Sequence, residues 1–355
     1  DLEQRSIQQS KGSVQLRQLQ REAEANRLIY ENFLTRFKET SEQEDLQQAD
    51  ARLISPAKEG RFAGVPDALI LGGTGILGLI LGFGLLFLFE QLNNTFRSED
   101  EVEDKTGVGV LASLPRFGRR RRRSQVLDYV RENPTSSLAE GIRNLRTALL
   151  LSNVDKPPKV IMVTSSLPAE GKSTTCMLLA EMSTLMGKKA IIVDCDIRRP
   201  TLHKTFNVKN EHDIISVLDG SAELEEVIYK DPESDLHVLP AVQSAPQAAD
   251  ILSSQRFADL VQALAERYDI VLLDSPPILL VSDASVVGNH ADAAIYAVHW
   301  DKTPREAATR GLKQLRDLGI HVNGVVLTLV DRKRQSQYSY YRYGYSYYQN
   351  DYYVD

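Results

Sequence analysis

The chain has 355 residues, 25% charged and 42% hydrophobic, with glycine and proline in ordinary numbers, which leaves room for one or two globular units. Its net charge of −6 gives no basis for nucleic-acid binding, and two cysteines, Cys176 and Cys195, are too few for a disulfide framework, so a reducing compartment fits. It opens at Asp1 without a methionine or a signal-peptide pattern, so a piece of a longer protein with a membrane segment upstream is expected.

Residues 1–65 read as a helical, coiled-coil-like stalk ending in a proline-flanked segment. Leu16, Leu19, Ala23, Asn26, Tyr30, Phe33 and Phe37 alternate spacings of three and four, a heptad seam. A coiled-coil strand and a long helix packed on a neighbour both fit that seam. Pro56 and Pro66 then precede a change of solvent. Residues 66–90 are the predicted transmembrane helix, for Ala68 to Phe89 holds 22 residues without a charge, about 33 Å of helix against the ~30 Å hydrocarbon thickness of a bilayer. Thr74, Gly78 and Gly82 recur every four residues, a face suited to close helix contact. Cations are denser after the span (Arg97, Lys105, Arg116 and Arg119 to Arg123) than before it (Arg52, Lys58, Arg61), which places the C-terminal part in the cytoplasm and the N-terminal part outside.

Residues 91–133 read as a basic juxtamembrane linker. Its five-arginine run suits anionic lipid headgroups, at ~1 kcal/mol per residue near the surface, and equally a solvated linker that fixes topology. From residue 134 to 331 the pattern becomes that of one α/β domain. Ser137 and Glu140 have the spacing of a capping box opening a helix to about Ser152. Apolar strands follow at Val160–Thr164, Ala190–Val193, His237–Leu239, Ile270–Leu273, Ala293–Val298 and Val322–Leu329. Helices at Lys172–Met186, Ala248–Arg267 and Thr303–Leu318 alternate with them. Near-continuous Val/Ile/Leu strands alternating with helices predict a parallel sheet covered on both faces.

The segment from Thr164 to Thr174 joins the first of these strands to its helix. Against G-x-x-x-x-G-K-[ST] it matches everywhere except that Ser166 stands for the first glycine. Such a loop turns its backbone N–H groups onto phosphate oxygens at the positive end of a helix dipole. Ser166, Glu170, Gly171, Lys172, Ser173 and Thr174 are therefore the candidate nucleotide-binding residues, with Lys172 reaching the β- and γ-phosphates and Ser173 ligating Mg²⁺ of an ATP complex. Asp194 and Asp196 end the second strand and Asp274 ends another, so three acids share one sheet edge with the loop, the arrangement of a metal–phosphate site.

Residues 332–355 read as a low-complexity tail, expected to be flexible when not bound, in which Tyr338, Tyr340, Tyr341, Tyr343, Tyr345, Tyr347, Tyr348, Tyr352 and Tyr353 are interleaved with small and polar residues. A stacking platform for single-stranded nucleic acid is disfavoured by its few cations.

Taken together, the loop Ser166–Thr174, Asp194-Cys195-Asp196-Ile197-Arg198, Asp274-Ser275-Pro276-Pro277 and the tyrosine cluster resemble the bacterial tyrosine kinases, the P-loop autokinases of capsule and exopolysaccharide export. The resemblance runs from about residue 50 onward. It implies an α/β fold, a P-loop doubly wound parallel sheet with flanking helices, preceded by a long helix and one transmembrane helix. It implies ATP and Mg²⁺ as cofactors, Lys172 neutralising the transferred phosphoryl group, and Ser173, Asp274 and Asp196 at the metal. It also implies Asp194 as the base for the tyrosine hydroxyl and the nine tail tyrosines as phosphoacceptors. Glu140, Arg143 and Arg146 match the family's Glu-x-x-Arg-x-x-Arg element, which joins neighbours into a homo-oligomeric ring; a solvated helix face is the plain alternative.

The further implied partners are membrane lipid, the polysaccharide export and polymerisation machinery and a cognate phosphotyrosine phosphatase. The implied location is a bacterial inner membrane, with the N-terminal part periplasmic and the kinase domain cytoplasmic. A membrane-tethered P-loop ATPase switch, or a chain-length-regulating scaffold without kinase activity, is the competing reading. Against the switch stands Leu167, where partitioning ATPases of the related deviant-Walker group carry a second lysine.

Overall fold

A computed structural model of the chain describes residues 2–46, 67–92, 94–118, 124–153, 155–209, 212–332 and 334–335. Pro56, Pro66, the run Arg119–Arg123 and the tail tyrosines Tyr338–Tyr353 lie outside the described residues. The chain divides into two compact units, Asp1–Ile80 and Leu81–Asp355.

The first unit begins with α1, Leu2–Leu46, 45 residues without a break. At 1.5 Å per residue it is about 67 Å long. The seam residues Leu16, Leu19, Tyr30, Phe33 and Phe37 all lie exposed along it. The next helix, α2 at Asp67–Leu92, contains 22 residues, Asp67–Leu88, long and apolar enough to cross a membrane, with none of them buried. Apolar side chains facing outward on every side suit a lipid solvent rather than water. The Thr74 hydroxyl donates back to the Ile70 carbonyl at 2.8 Å, which satisfies it within the helix.

The second unit runs α3 (Glu99–Thr106), β1 (Val110–Pro115), α4 (Ser124–Glu132), α5 (Ser137–Ser152), β2 (Val160–Ser165), α6 (Lys172–Leu185) and β3 (Ala190–Asp194). After these come three short helices, α7 (Leu202–Thr205), α8 (Ile214–Asp219) and α9 (Leu224–Val227), and the strands β4 (Tyr229–Lys230) and β5 (His237–Leu239). The chain closes with α10 (Ala248–Leu252), α11 (Gln255–Arg267), β6 (Ile270–Asp274), α12 (Asp283–Gly288), β7 (Ala293–His299), α13 (Arg305–Asp317) and β8 (Val322–Val330). The strands make one sheet in the order β1-β8-β7-β2-β6-β3-β5-β4, parallel throughout except for β4 against β5. Side chains alternate between two cores: Met162, Ile191, Val193 and Leu273 pack on one face, Ile161, Val163, Ile192 and Leu272 on the other. Because both faces are covered, every residue of β2, β3, β6 and β7 is buried.

Three expectations are corrected. Residues 91–133 do not form a linker in their described part: α3, β1 and α4 belong to the folded unit, and β1 pairs with β8 as an edge strand. Arg131 at the end of α4 reaches Glu181 on α6 at 2.6 and 3.1 Å and Asp231 at 2.6 Å, which fastens α4 to the helix that follows the phosphate loop. The helix from residue 137 is capped by Ser136, whose hydroxyl accepts the Ala139 N–H, while Glu140 pairs with Arg143 instead of closing a box with Ser137. The predicted helix 248–267 is two, α10 and α11, separated at Ser253–Ser254 because Ser254 caps the second.

Candidate active site

The loop between β2 and α6 is shaped by residues that pack behind it. Gly171 has φ +88°, a region that favours glycine, and a Cβ there would lie 3.0 Å from the Thr328 side chain. Ser166 is fully buried and its hydroxyl meets the Tyr296 hydroxyl at 2.8 Å. That contact explains how a serine replaces the usual first glycine: the side chain points into the core, where a phenol from β7 receives it. Burial holds the Tyr296 phenol far above its ordinary value, so it stays a neutral partner. Glu170 is buried, accepts the Leu167 N–H at 2.7 Å and accepts the Thr303 hydroxyl. Burial pushes its carboxyl up, while those hydrogen bonds pull it back toward the charged form.

Lys172 opens α6, and its ammonium lies 3.2 Å from Asp196 and 4.0 Å from Asp274. Burial alone would depress its pKa, but Asp274, Asp196 and Asp194 outweigh burial and hold it above its ordinary value, so the cation persists. Ser173 follows it, nearly buried at the first turn of the helix. Thr174, half-buried, lines the same cavity as Lys172, Ser173 and Asp196, a cleft of about 450 Å³ closed on its far side by Arg199, Pro276 and Leu280.

The three strand-end acids take different positions. Asp274 is fully buried beside Lys172. Asp194, also fully buried, accepts the N–H groups of Asp196, Thr201 and Leu202 at 3.2–3.3 Å, which folds the turn after β3. Burial and the neighbouring Asp274 push its carboxyl well up, only partly offset by the Leu202 N–H. Asp196 is the one of the three that lines the cavity. Arg198 also lines it, held by two nitrogens on buried Asp283 at 2.6 and 3.1 Å. Tyr296, Thr303, Thr328 and Asp283 carry no motif and sit far from the loop in sequence, so only their place in the fold identifies them.

These residues suit a Mg²⁺-nucleotide. No group of three His, Cys, Asp or Glu with metal-binding geometry occurs among the described residues. Mg²⁺ is commonly held by one or two carboxylates, a hydroxyl and phosphate oxygens rather than by an all-protein cage, and Ser173, Asp274 and Asp196 supply that donor set beside a glycine cradle. Cys176 and Cys195 are buried and unpaired with each other, and burial raises both thiols well up, which makes them packing residues.

A phosphate loop at the carboxyl edge of a parallel sheet, with its lysine among strand-end acids, defines a P-loop nucleotide-binding α/β protein. Comparison with known proteins narrows the class. The family described as "AAA domain" matches residues 158–319. The tyrosine-protein kinase YwqD of Bacillus subtilis is 34% identical over 208 residues, 59% of this chain and 88% of that protein. The tyrosine-protein kinase wzc of Salmonella typhimurium is 29% identical over 344 residues, 92% of this chain but 47% of that protein, so the chain spans about half the length of such relatives. The solved kinase domain of Escherichia coli tyrosine kinase ETK superposes with a TM-score of 0.60 at 27% identity, covering 66% of this chain and 94% of that one. The chain belongs to the bacterial tyrosine-kinase family.

Proposed function

We propose that the chain is an ATP-dependent protein-tyrosine autokinase that phosphorylates its own tail, Tyr338 to Tyr353, in trans between neighbouring copies in a ring. The observation that carries this reading is the Lys172 ammonium held between Asp196 and Asp274 at the floor of an open cavity, in a chain of this family. A second cavity of about 310 Å³, lined by Phe117, Leu178 and Leu329 on the other side of Gly171 and Thr174, suits the adenine ring.

In the reaction the phenol oxygen attacks the γ-phosphorus, the bond to the β,γ-bridging oxygen breaks, ADP departs, and the phenol proton passes to a carboxylate. Lys172 and the first-turn N–H groups of α6 would stabilise charge on the transferring group, and positioning does most of the remaining work. Mg²⁺, held by Ser173, Asp274 and Asp196, supplies further neutralisation when bound. Asp194 was expected as the base; its carboxylate is buried and engaged by three N–H groups, so Asp196, which faces the cavity, is the better-placed acceptor and Asp194 holds the turn that presents it.

The apolar helix α2 would anchor the chain in an inner membrane, with the unit beyond it cytoplasmic, the stalk periplasmic and the arginine run on the lipid surface. Arg143 and Arg146 on α5 would meet acids of the next copy, since positions three apart lie on one face of a helix. Polysaccharide polymerisation and export machinery and a phosphotyrosine phosphatase complete the proposed set of partners.

The experiment is mass-spectrometric mapping of phosphotyrosine after incubating the chain, purified in mild detergent, with Mg-ATP, alongside Lys172→Met, Asp194→Asn and Asp196→Asn. Phosphate on the tail that is lost in Lys172→Met and falls further in Asp196→Asn than in Asp194→Asn supports the roles given. ATP hydrolysis without phosphotyrosine would replace the kinase with a membrane-tethered ATPase switch.

A further inference from the structure

The phosphate loop is fastened from behind by hydrogen bonds that converge on the Glu170 carboxylate. The His299 N–H at the end of β7 donates to the Thr303 hydroxyl at 2.8 Å, that hydroxyl donates to one oxygen of Glu170, and the other oxygen accepts the Leu167 N–H of the loop. Beside it the Thr328 hydroxyl donates to the Glu170 carbonyl at 2.6 Å. Thus two residues more than 100 positions downstream decide where the backbone of the loop lies.

The segment carrying Thr303 is in turn seated on residues 94–97, the stretch that follows α2. Thr95 and Pro304 form an antiparallel bridge. The Asp301 N–H donates to the Phe96 carbonyl at 2.8 Å, the Arg305 N–H to the Asn94 carbonyl at 2.7 Å, and the Trp300 indole to the Arg97 carbonyl at 2.8 Å. Arg97 closes the contact through Nε to the Asp301 carboxylate at 2.7 Å, and Phe96 is fully buried beneath.

Backbone geometry marks the same places. Ala169, Asp301 and Leu329 adopt φ of +61°, +52° and +56°. Each lies within two residues of Glu170, Thr303 or Thr328. Residues other than glycine persist in that region only where surrounding structure imposes it. Three such residues around one loop indicate a geometry set by its supports rather than by its own preferences.

We propose that Thr303 is a positioning residue for the phosphate loop and that the 94–97 segment holds it in place, so that displacement where the chain leaves α2 reaches the nucleotide through Asp301, Trp300 and Thr303. The inference rests on the loop being the nucleotide site and is independent of tyrosine transfer.

The test uses the full chain in detergent, with a fluorescent ADP analogue and Mg²⁺ as the probe and the nucleotide-free melting temperature as a check on folding. Thr303→Val replaces the hydroxyl with a methyl group of similar size and is expected to weaken binding about tenfold, equivalent to about 1.4 kcal/mol. Thr303→Ser restores affinity to within about twofold, because it returns the donor. Arg97→Ala, far from the loop, is expected to weaken binding about threefold. Unchanged affinity in Thr303→Val, even with a lowered melting temperature, would reduce the hydroxyl to a fold contact and overturn the proposal. Weakened binding in Thr303→Val with unchanged binding in folded Arg97→Ala would overturn the part assigned to residues 94–97. An unvaried chain that binds no nucleotide would instead remove the nucleotide reading itself.

Discussion

Asp194 and Asp274 are register neighbours at the carboxyl ends of β3 and β6, both fully buried. Burial and the Asp274 charge raise the Asp194 pKa. A carboxyl whose folded pKa lies above its unfolded value favours the fold at low pH, and that contribution is lost as pH rises through the folded pKa. Near neutrality the buried Asp194 carboxyl therefore opposes folding; the Lys172 ammonium, 4.0 Å from Asp274, offsets part of that cost, and a bound cation would relieve more. Asp274→Asn is expected to raise the nucleotide-free melting temperature, by about 2–4 °C for each kcal/mol relieved. The same change is expected to abolish the additional shift that Mg²⁺ gives over ADP alone. Thermal melts with and without Mg²⁺ check both, and a lowered nucleotide-free melting temperature would contradict the account.

Gly311 on α13 leaves room for a tyrosine. A Cβ there would stand 1.9 Å from the Tyr296 hydroxyl. Gly311→Ala is expected to cost about 1–3 kcal/mol by overpacking and to displace Tyr296 from Ser166. Tyr296→Phe in the same chain removes the clashing oxygen, so the double variant recovers part of the loss. Denaturant midpoints of the two single variants and the double measure this coupling; strict additivity would mean the two positions are independent.

His237, His290 and His299 are all held below the ordinary histidine value, chiefly by burial. His299 is the most enclosed, and its Nδ1, 2.8 Å from the Trp300 carbonyl, must carry a proton as donor, leaving Nε2 to titrate. With folded values below the unfolded one near 6.5, the unfolded chain binds more protons as pH falls past 6.5. Stability is therefore present above that pH and lost below it. Denaturant unfolding at pH 7.5, 6.5 and 5.5 should show a midpoint that declines over the last interval, and less so in His299→Gln.

Arg131 serves three acids, Glu181 with no side-chain exposure, Asp231 with little, and the more exposed Asp128 at 3.3 Å. Arg131→Met leaves Glu181 as an uncompensated buried charge and is expected to cost about 3–5 kcal/mol. Arg131→Met with Glu181→Met is expected to lose much less, since the stranded charge goes too. Because Glu181 lies on α6, nucleotide-induced stabilisation should fall in the single variant and return in the double.

Much of the site was legible because buried parallel strands are continuous apolar runs, and the motif residues Lys172, Asp194 and Asp274 sit where those runs stop. The edge strand β1 escaped notice: it has 6 residues, of which only Ala112 and Leu114 are buried, and it lies in a stretch whose arginines dominate the composition. Two adjacent serines obscured the start of α5, since Glu140 stood at box spacing from Ser137 but bonds to Arg143. Thr303, Thr328 and Tyr296 could not be read at all. Their role depends on β7 and β8 lying beside β2 in the sheet, a long-range arrangement with no local signal. Arg198 was legible as part of a motif, yet its partner Asp283 was not.

The Ser166–Tyr296–Gly311 cluster bears on how this loop has diverged. A serine at the first loop position needs a hydroxyl to receive it, and that hydroxyl needs a gap in α13, so no one of the three changes is neutral without the others. Related chains are accordingly expected to inherit these positions as a set: glycine at 166 releases 296 to lose its oxygen and 311 to gain a methyl group. A chain that kept the tyrosine and carried alanine at 311 would have to absorb the overlap of that methyl group with the phenol oxygen.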